Sequence, residues 1–117
     1  MSDQIIDIKE FLERVQDDRD LLLELLDIFE QDFVEKRKNL GIAVQKKNFE
    51  EIKSIAHSLK GSSGNISAKP MHANWFKIEQ LAKDSDAAGI MAIMTDIDRQ
   101  FAELQQYCVQ LKQDLKK

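Results

Sequence analysis

His57 has Lys60 and Gly61 three and four residues after it, Gly64 seven after it and Lys53 four before it. On a helix, steps of three, four and seven fall on one face. The imidazole of a solvent-exposed histidine is largely neutral at cytoplasmic pH. Its unprotonated nitrogen is a competent nucleophile toward an activated phosphoryl group. Lysines one turn away supply the positive charge that phosphoryl oxygens need, which is most of what such a transfer asks of a protein. Gly61 sits inside a helical pattern, where glycine costs about 1 kcal/mol relative to alanine. A second protein that must bring its own phosphorylated group up to His57 gives that cost a reason. The competing reading of His57 is an ordinary surface histidine. Gly64 with Asn65 reads equally as clearance beside His57 or as a helix C-terminal cap.

The element that must carry these residues is legible. Phe49, Ile52, Ala56, Leu59, Ser63 and Ile66 alternate steps of three and four, one packed face of a helix. At about 100° per residue, His57 lies roughly 140° from the centre of that face and Gly61 about 180° from it. Lys53, Lys60 and Gly64 fall on the same side as His57, so the Lys60 ammonium is expected in solvent. His72, with no glycine or lysine pair beside it in sequence, reads as a surface or boundary residue.

Four further helices follow from the apolar spacing. Ile5, Ile6, Ile8, Phe11, Leu12 and Val15 mark a short first helix that ends at Gln16–Asp18. Asp18 is placed to cap a second, carrying Leu21, Leu22, Leu25, Leu26, Ile28, Phe29 and Phe33 and continuing, after a bend, through Leu40, Ala43 and Val44. Glu35–Lys38 reads as its solvated face. After residues 64–67, Ser67 is expected to cap the next helix, with Pro70 in its first turn and Met71, Trp75, Ile78, Leu81 and Ala82 packed. The final segment is the most regular: Ile90, Met94, Ile97, Phe101, Leu104, Cys108, Leu111 and Leu115 step by four and three. Cys108 in that seam reads as a small buried hydrophobe. The expected fold is all-α, an antiparallel four-helix bundle with one or two short additional N-terminal helices, forming one domain over residues 1–117.

Composition narrows the function classes. The chain has 117 residues, a net charge of −4 and one cysteine. The charge argues against nucleic acid as principal ligand. A lone cysteine excludes an internal disulfide or a multi-cysteine metal site. No basic start with a long apolar core marks a signal peptide, and no apolar run approaches the roughly 18 residues of a membrane span. A cytoplasmic monomer without cofactor or membrane contact is expected.

At His57, Leu59, Lys60, Gly61, Ser62 and Ser63, with Ala56 before and Ile66, Ser67 and Ala68 after, the sequence resembles the histidine-containing phosphotransfer (HPt) family of two-component phosphorelays. Ser67 stands where that family usually has glycine, a departure at the interhelix turn and not at the phosphoacceptor. More loosely the likeness extends over the whole chain. It implies a bundle whose exposed His57 accepts phosphate from a receiver-domain aspartyl phosphate and passes it to another receiver. Lys60 would steady the phosphoryl charge, Gly61 and Gly64 would clear space for docking with Lys53 nearby, and Glu79 would hydrogen-bond the other imidazole nitrogen. Magnesium would belong to the receiver. With no ATP-binding segment in this length, the chain is expected to be a relay intermediate and not an autokinase.

Two other readings compete. A metal-binding bundle enzyme would need a Glu-x-x-His pair, and none occurs. A helical adaptor that binds receiver or kinase domains without phosphotransfer would share the fold and lack the chemistry.

Overall fold

Helical periodicity dictates five helices in the computed structural model, which describes residues 4–115 (Leu115 by its backbone alone). They are α1 (Ile8–Arg14), α2 (Arg19–Gln45), α3 (Phe49–Asn65), α4 (Lys69–Lys83) and α5 (Ala87–Leu115). The links between α2, α3, α4 and α5 span only residues 46–48, 66–68 and 84–86, which forces successive helices antiparallel. α2 packs on α3, α3 on α4, α4 on α5 and α5 back on α2, closing a four-helix bundle, while α1 lies against α2. Of the one or two extra N-terminal helices expected, the described residues form one.

The α2–α5 core is built from the stripes that the sequence shows. Phe33 of α2 stacks on Phe101 of α5, with ring centroids 3.9 Å apart, and meets Trp75 of α4 edge-on at 6.1 Å. On α3, Ile52, Ala56, Leu59 and Ser63 are all buried, so its opposite face is left to solvent. In α5 the seam is buried from Ile90 through Leu111; Leu115, expected to continue it, lies outside the described side chains. Cys108 is buried, and desolvation pushes its thiol up to about 12.

Several sequence expectations are corrected. α2 runs as one continuous helix from Arg19 to Gln45, with no proline in it and Gly41 carried inside its last turns. Leu21 and Ile28 are 39% and 55% exposed, since α2 needs only part of its circumference to cover the bundle. The Glu35–Lys38 run is not uniformly solvated. Arg37 makes a two-pronged contact with Asp98 of α5, at 2.7 and 2.9 Å, and Lys36 Nζ donates to Ser58 Oγ of α3 at 2.6 Å.

Ser67 does not cap α4. The N-cap is Ala68, with no side-chain hydrogen bond. Ser67 is instead the left-handed residue (φ 59°) that ends α3. Its N–H bonds to the Gly64 carbonyl and that of Ala68 to the Ser63 carbonyl, the paired bonds of a Schellman turn. α1, α2 and α4 end the same way on Gln16, Lys47 and Ser85. Each non-glycine residue there costs roughly 1 kcal/mol, offset by the carbonyls it lets the turn satisfy. The Ser67 carbonyl also accepts from Asp7 N–H, and Lys69 pairs with Asp7 and Glu10, so α1 is tied to the α3–α4 turn.

Candidate functional site

α3 is held by its buried stripe and by Asn48, whose side chain accepts the Glu51 N–H at its start. That orientation leaves the His57 side chain 71% exposed. The imidazole rims a shallow open depression lined by Glu50, Lys53, Ser54, His57 and Glu79. On the far side, Gly61 faces open space: a Cβ built there meets nothing within 4 Å.

Glu79 enters from α4, next to Ile78 and one turn past Trp75, both fully buried. Its side chain is only 9% exposed, with Oε2 3.2 Å from His57 Nδ1 and Oε1 2.7 Å from Lys60 Nζ. Oε1 has no partner at good hydrogen-bond angles, so the Lys60 contact is a close ion pair and not a directed bond. Burial pushes the Glu79 carboxyl up, but the Lys60 ammonium and the His57 ring together outweigh it and hold the group below the ordinary glutamate range.

Lys60 is therefore not in free solvent. It is 22% exposed, paired with Glu79, and its Nζ stands 5.4 Å from the centre of the half-exposed Phe76 ring. Angular placement on α3 alone had no way to show this, because the covering groups come from α4. Lys53 remains exposed on the rim of the depression. Gly64, half-exposed, lies in the last turn of α3 ahead of the cap. It is not the left-handed residue of the cap, and a Cβ there would come within 3.3 Å of His72 Nδ1. His72, with no glycine or lysine pair beside it in sequence, has both Gly64 and the Lys60 carbonyl against it in space.

The site thus combines an exposed imidazole with a buried carboxylate that also pairs with an ammonium, an arrangement that leaves one ring nitrogen open to an electrophile. Among the described residues, no group of three or more His, Cys, Asp or Glu side chains could hold a metal ion. Comparison with known proteins bears on the class. The family model of the Hpt domain matches residues 24–114. The chain belongs to the Hpt family. Its fold is similar to the crystal structure of histidine-containing phosphotransfer protein B (HptB) from Pseudomonas aeruginosa PAO1, with a TM-score of 0.88 and 25% identity over 97% of this chain and 98% of that one. A search of curated proteins found no match. The chain is thus a histidine phosphotransfer protein of the two-component phosphorelay type. Within this Hpt domain, the left-handed φ of Ser67 accounts for the glycine usual at that position. No described helix is long and apolar enough to cross a membrane.

Sequence reasoning missed two parts of the surroundings. Phe76 under Lys60 carries no local signal, since it is sixteen residues further along the chain. An apolar groove lined by Leu25, Ile28, Phe29 and Ile66, with Asp32, Ser62 and Asn65, runs between α2 and α3. The periodic α2 pattern had assigned Ile28 to the core. Only its surplus over one helix stripe could have flagged it.

Proposed function

We propose that the Hpt domain accepts a phosphoryl group on Nε2 of His57 from the aspartyl phosphate of a receiver domain and relays it to the aspartate of a second receiver. One observation carries this reading: the exposed imidazole has its inner nitrogen, Nδ1, 3.2 Å from the buried Glu79 carboxylate. An ionised carboxylate only accepts, so Nδ1 carries the proton and Nε2 keeps its lone pair. That nitrogen attacks phosphorus. The N–P bond forms as the acyl P–O bond breaks, and the bonding electrons leave on the receiver's aspartate. The ring's positive charge is balanced by Glu79, which still holds the Nδ1 proton. The reverse sequence delivers the phosphoryl group to the next receiver.

Lys60, already beside the ring through Glu79, supplies the compensating charge on the phosphoryl oxygens. Gly61 leaves room for the partner's backbone. The apolar groove around Ile28, continuous with α3 through Ser62 and Ile66, takes the partner's apolar contacts. The chain serves as an intermediate and not as an autokinase, and Lys53 adds positive charge at the rim.

Incubation with a phosphorylated receiver domain tests this. One phosphate should appear on His57, stable in base and labile in acid. His57→Gln should abolish it and His72→Gln should leave it. Labelling that survives in His57→Gln ends the proposal, and receiver binding without any label would make the chain an adaptor.

A further inference from the structure

We infer that His72 is a positioning residue for the phosphoacceptor site, clamping the main chain of Lys60 from the first turn of α4, and that position 64 is glycine to admit its ring. The inference rests on the reading of His57 and Lys60 given above. His72 Nδ1 lies 2.8 Å from the Lys60 carbonyl oxygen. A carbonyl only accepts, so Nδ1 donates. Within α3 that oxygen is also the helical acceptor for residue 64, and its second lone pair serves His72. Protonation of the ring adds a proton at Nε2 and leaves the Nδ1 donor in place, so the clamp does not depend on the ring's charge.

The geometry has a simple organisation. His72, Phe76 and Glu79 are spaced four and three apart, one stripe of α4. Each takes hold of a different part of Lys60: His72 its carbonyl, Phe76 the open side of its ammonium, Glu79 the ammonium itself. Glu79 in turn holds His57. A carbonyl fixed to the same stripe that grips the side chain fixes where along α4 the Lys60 chain begins, and hence where its charge ends.

Gly64 supports this independently. A Cβ there would stand 3.3 Å from His72 Nδ1 and 3.6 Å from Cε1, closer than ordinary contact at the first atom. The ring would have to give by a few tenths of an ångström, and the crowded atom is the same Nδ1 that holds the Lys60 carbonyl. Gly61, by contrast, has nothing within 4 Å. The two glycines thus serve different neighbours, one a partner and the other a side chain of this protein.

The test uses His72→Ala, His72→Asn, whose side-chain amide can place a donor where Nδ1 was, and Gly64→Ala alone and combined with His72→Ala. In His72→Ala, single-turnover transfer at saturating phosphorylated receiver should slow about 5–10-fold, the scale of a sub-ångström misplacement. The receiver concentration giving half-maximal rate should be unchanged, because the α2–α3 groove is untouched. His72→Asn should recover the rate. Gly64→Ala should slow transfer in the wild-type background and add nothing in His72→Ala. Carbon-13 NMR titration of the Glu79 carboxyl reads the same geometry without phosphate: its titration should move up toward the ordinary glutamate range in His72→Ala and return in His72→Asn. Wild-type rate and titration in His72→Ala, an Asn variant as impaired as Ala, or equal effects of Gly64→Ala in both backgrounds would each overturn the clamp. If the wild-type protein takes no label on His57, the proposed function fails, and the Glu79 titration across the variants still decides the clamp.

Discussion

Lys60 Nζ lies 2.7 Å from Glu79 Oε1, with the lysine side chain 22% exposed and the glutamate 9%. The pair joins α3 to α4 at the site itself, so charge placement and helix packing are one problem here. Removing the lysine leaves a buried carboxylate facing the protein with half its compensation gone.

Lys60→Ala should therefore destabilise the fold by about 1–3 kcal/mol, the usual cost of leaving a buried acceptor without its partner. A solvated surface lysine would cost no more than about 0.5 kcal/mol. The same replacement made in Glu79→Gln should cost clearly less. Urea denaturation of the four proteins measures it, and a purely additive cycle would show that the pair is not coupled.

The acid limb of stability should report Glu79. Its carboxyl titrates below the ordinary range when folded, so the unfolded chain takes up the proton first as pH falls. The stabilisation is fully present above the ordinary glutamate value of about 4.3. It is lost as pH falls through that value and on through the lower folded one. The stability difference between wild type and Glu79→Gln should shift against the wild type as pH falls below about 5. A difference independent of pH down to acid unfolding would contradict the assignment.

Gly61 separates folding from docking. An alanine methyl at this position would have nothing within 4 Å of it, so Gly61→Ala should raise stability by about 0.5–1 kcal/mol through helix propensity. Transfer from the receiver should slow, and more in Gly61→Gln than in Gly61→Ala. Rapid-quench transfer alongside denaturation decides it; wild-type transfer rates in both variants would remove the clearance argument.

Ile28, 55% exposed beside the α2–α3 groove, should behave as a contact of binding only. Ile28→Lys should alter stability by no more than about 0.5 kcal/mol. It should raise the KM for phosphorylated receiver about tenfold while leaving the rate at saturation unchanged, the pattern of a contact made equally before and during transfer. A fall in the saturated rate at constant KM would move Ile28 from docking to the chemistry.

How much of this was legible before folding can be seen residue by residue. The stripe from Ile52 to Ile66 was readable because burial repeats with the helical period, and the same stripe put His57 outside. Asp18 announced the start of α2 through its side-chain chemistry, and it accepts the Leu21 N–H at 3.0 Å. Ser67 misled because serine fits both a cap and a turn. Which one it served depended on the left-handed backbone that closes α3 and on Asp7 bonding its carbonyl. Lys60 misled for a related reason: its place on α3 was right, but its exposure was decided by Phe76 and Glu79.

Residue order was enough to set the helices, their buried faces and the outward placement of His57, since these depend on contacts three and four residues apart. What stands against that outward face came from the packing of whole helices. Whether α4 offers Lys60 a carboxylate, an aromatic ring and a histidine depends on the axial offset and rotation of α4 against α3. Those two quantities are set across the whole bundle, by Phe33, Trp75 and Phe101 at its centre as much as by the turn at residues 66–68, and no local spacing encodes them.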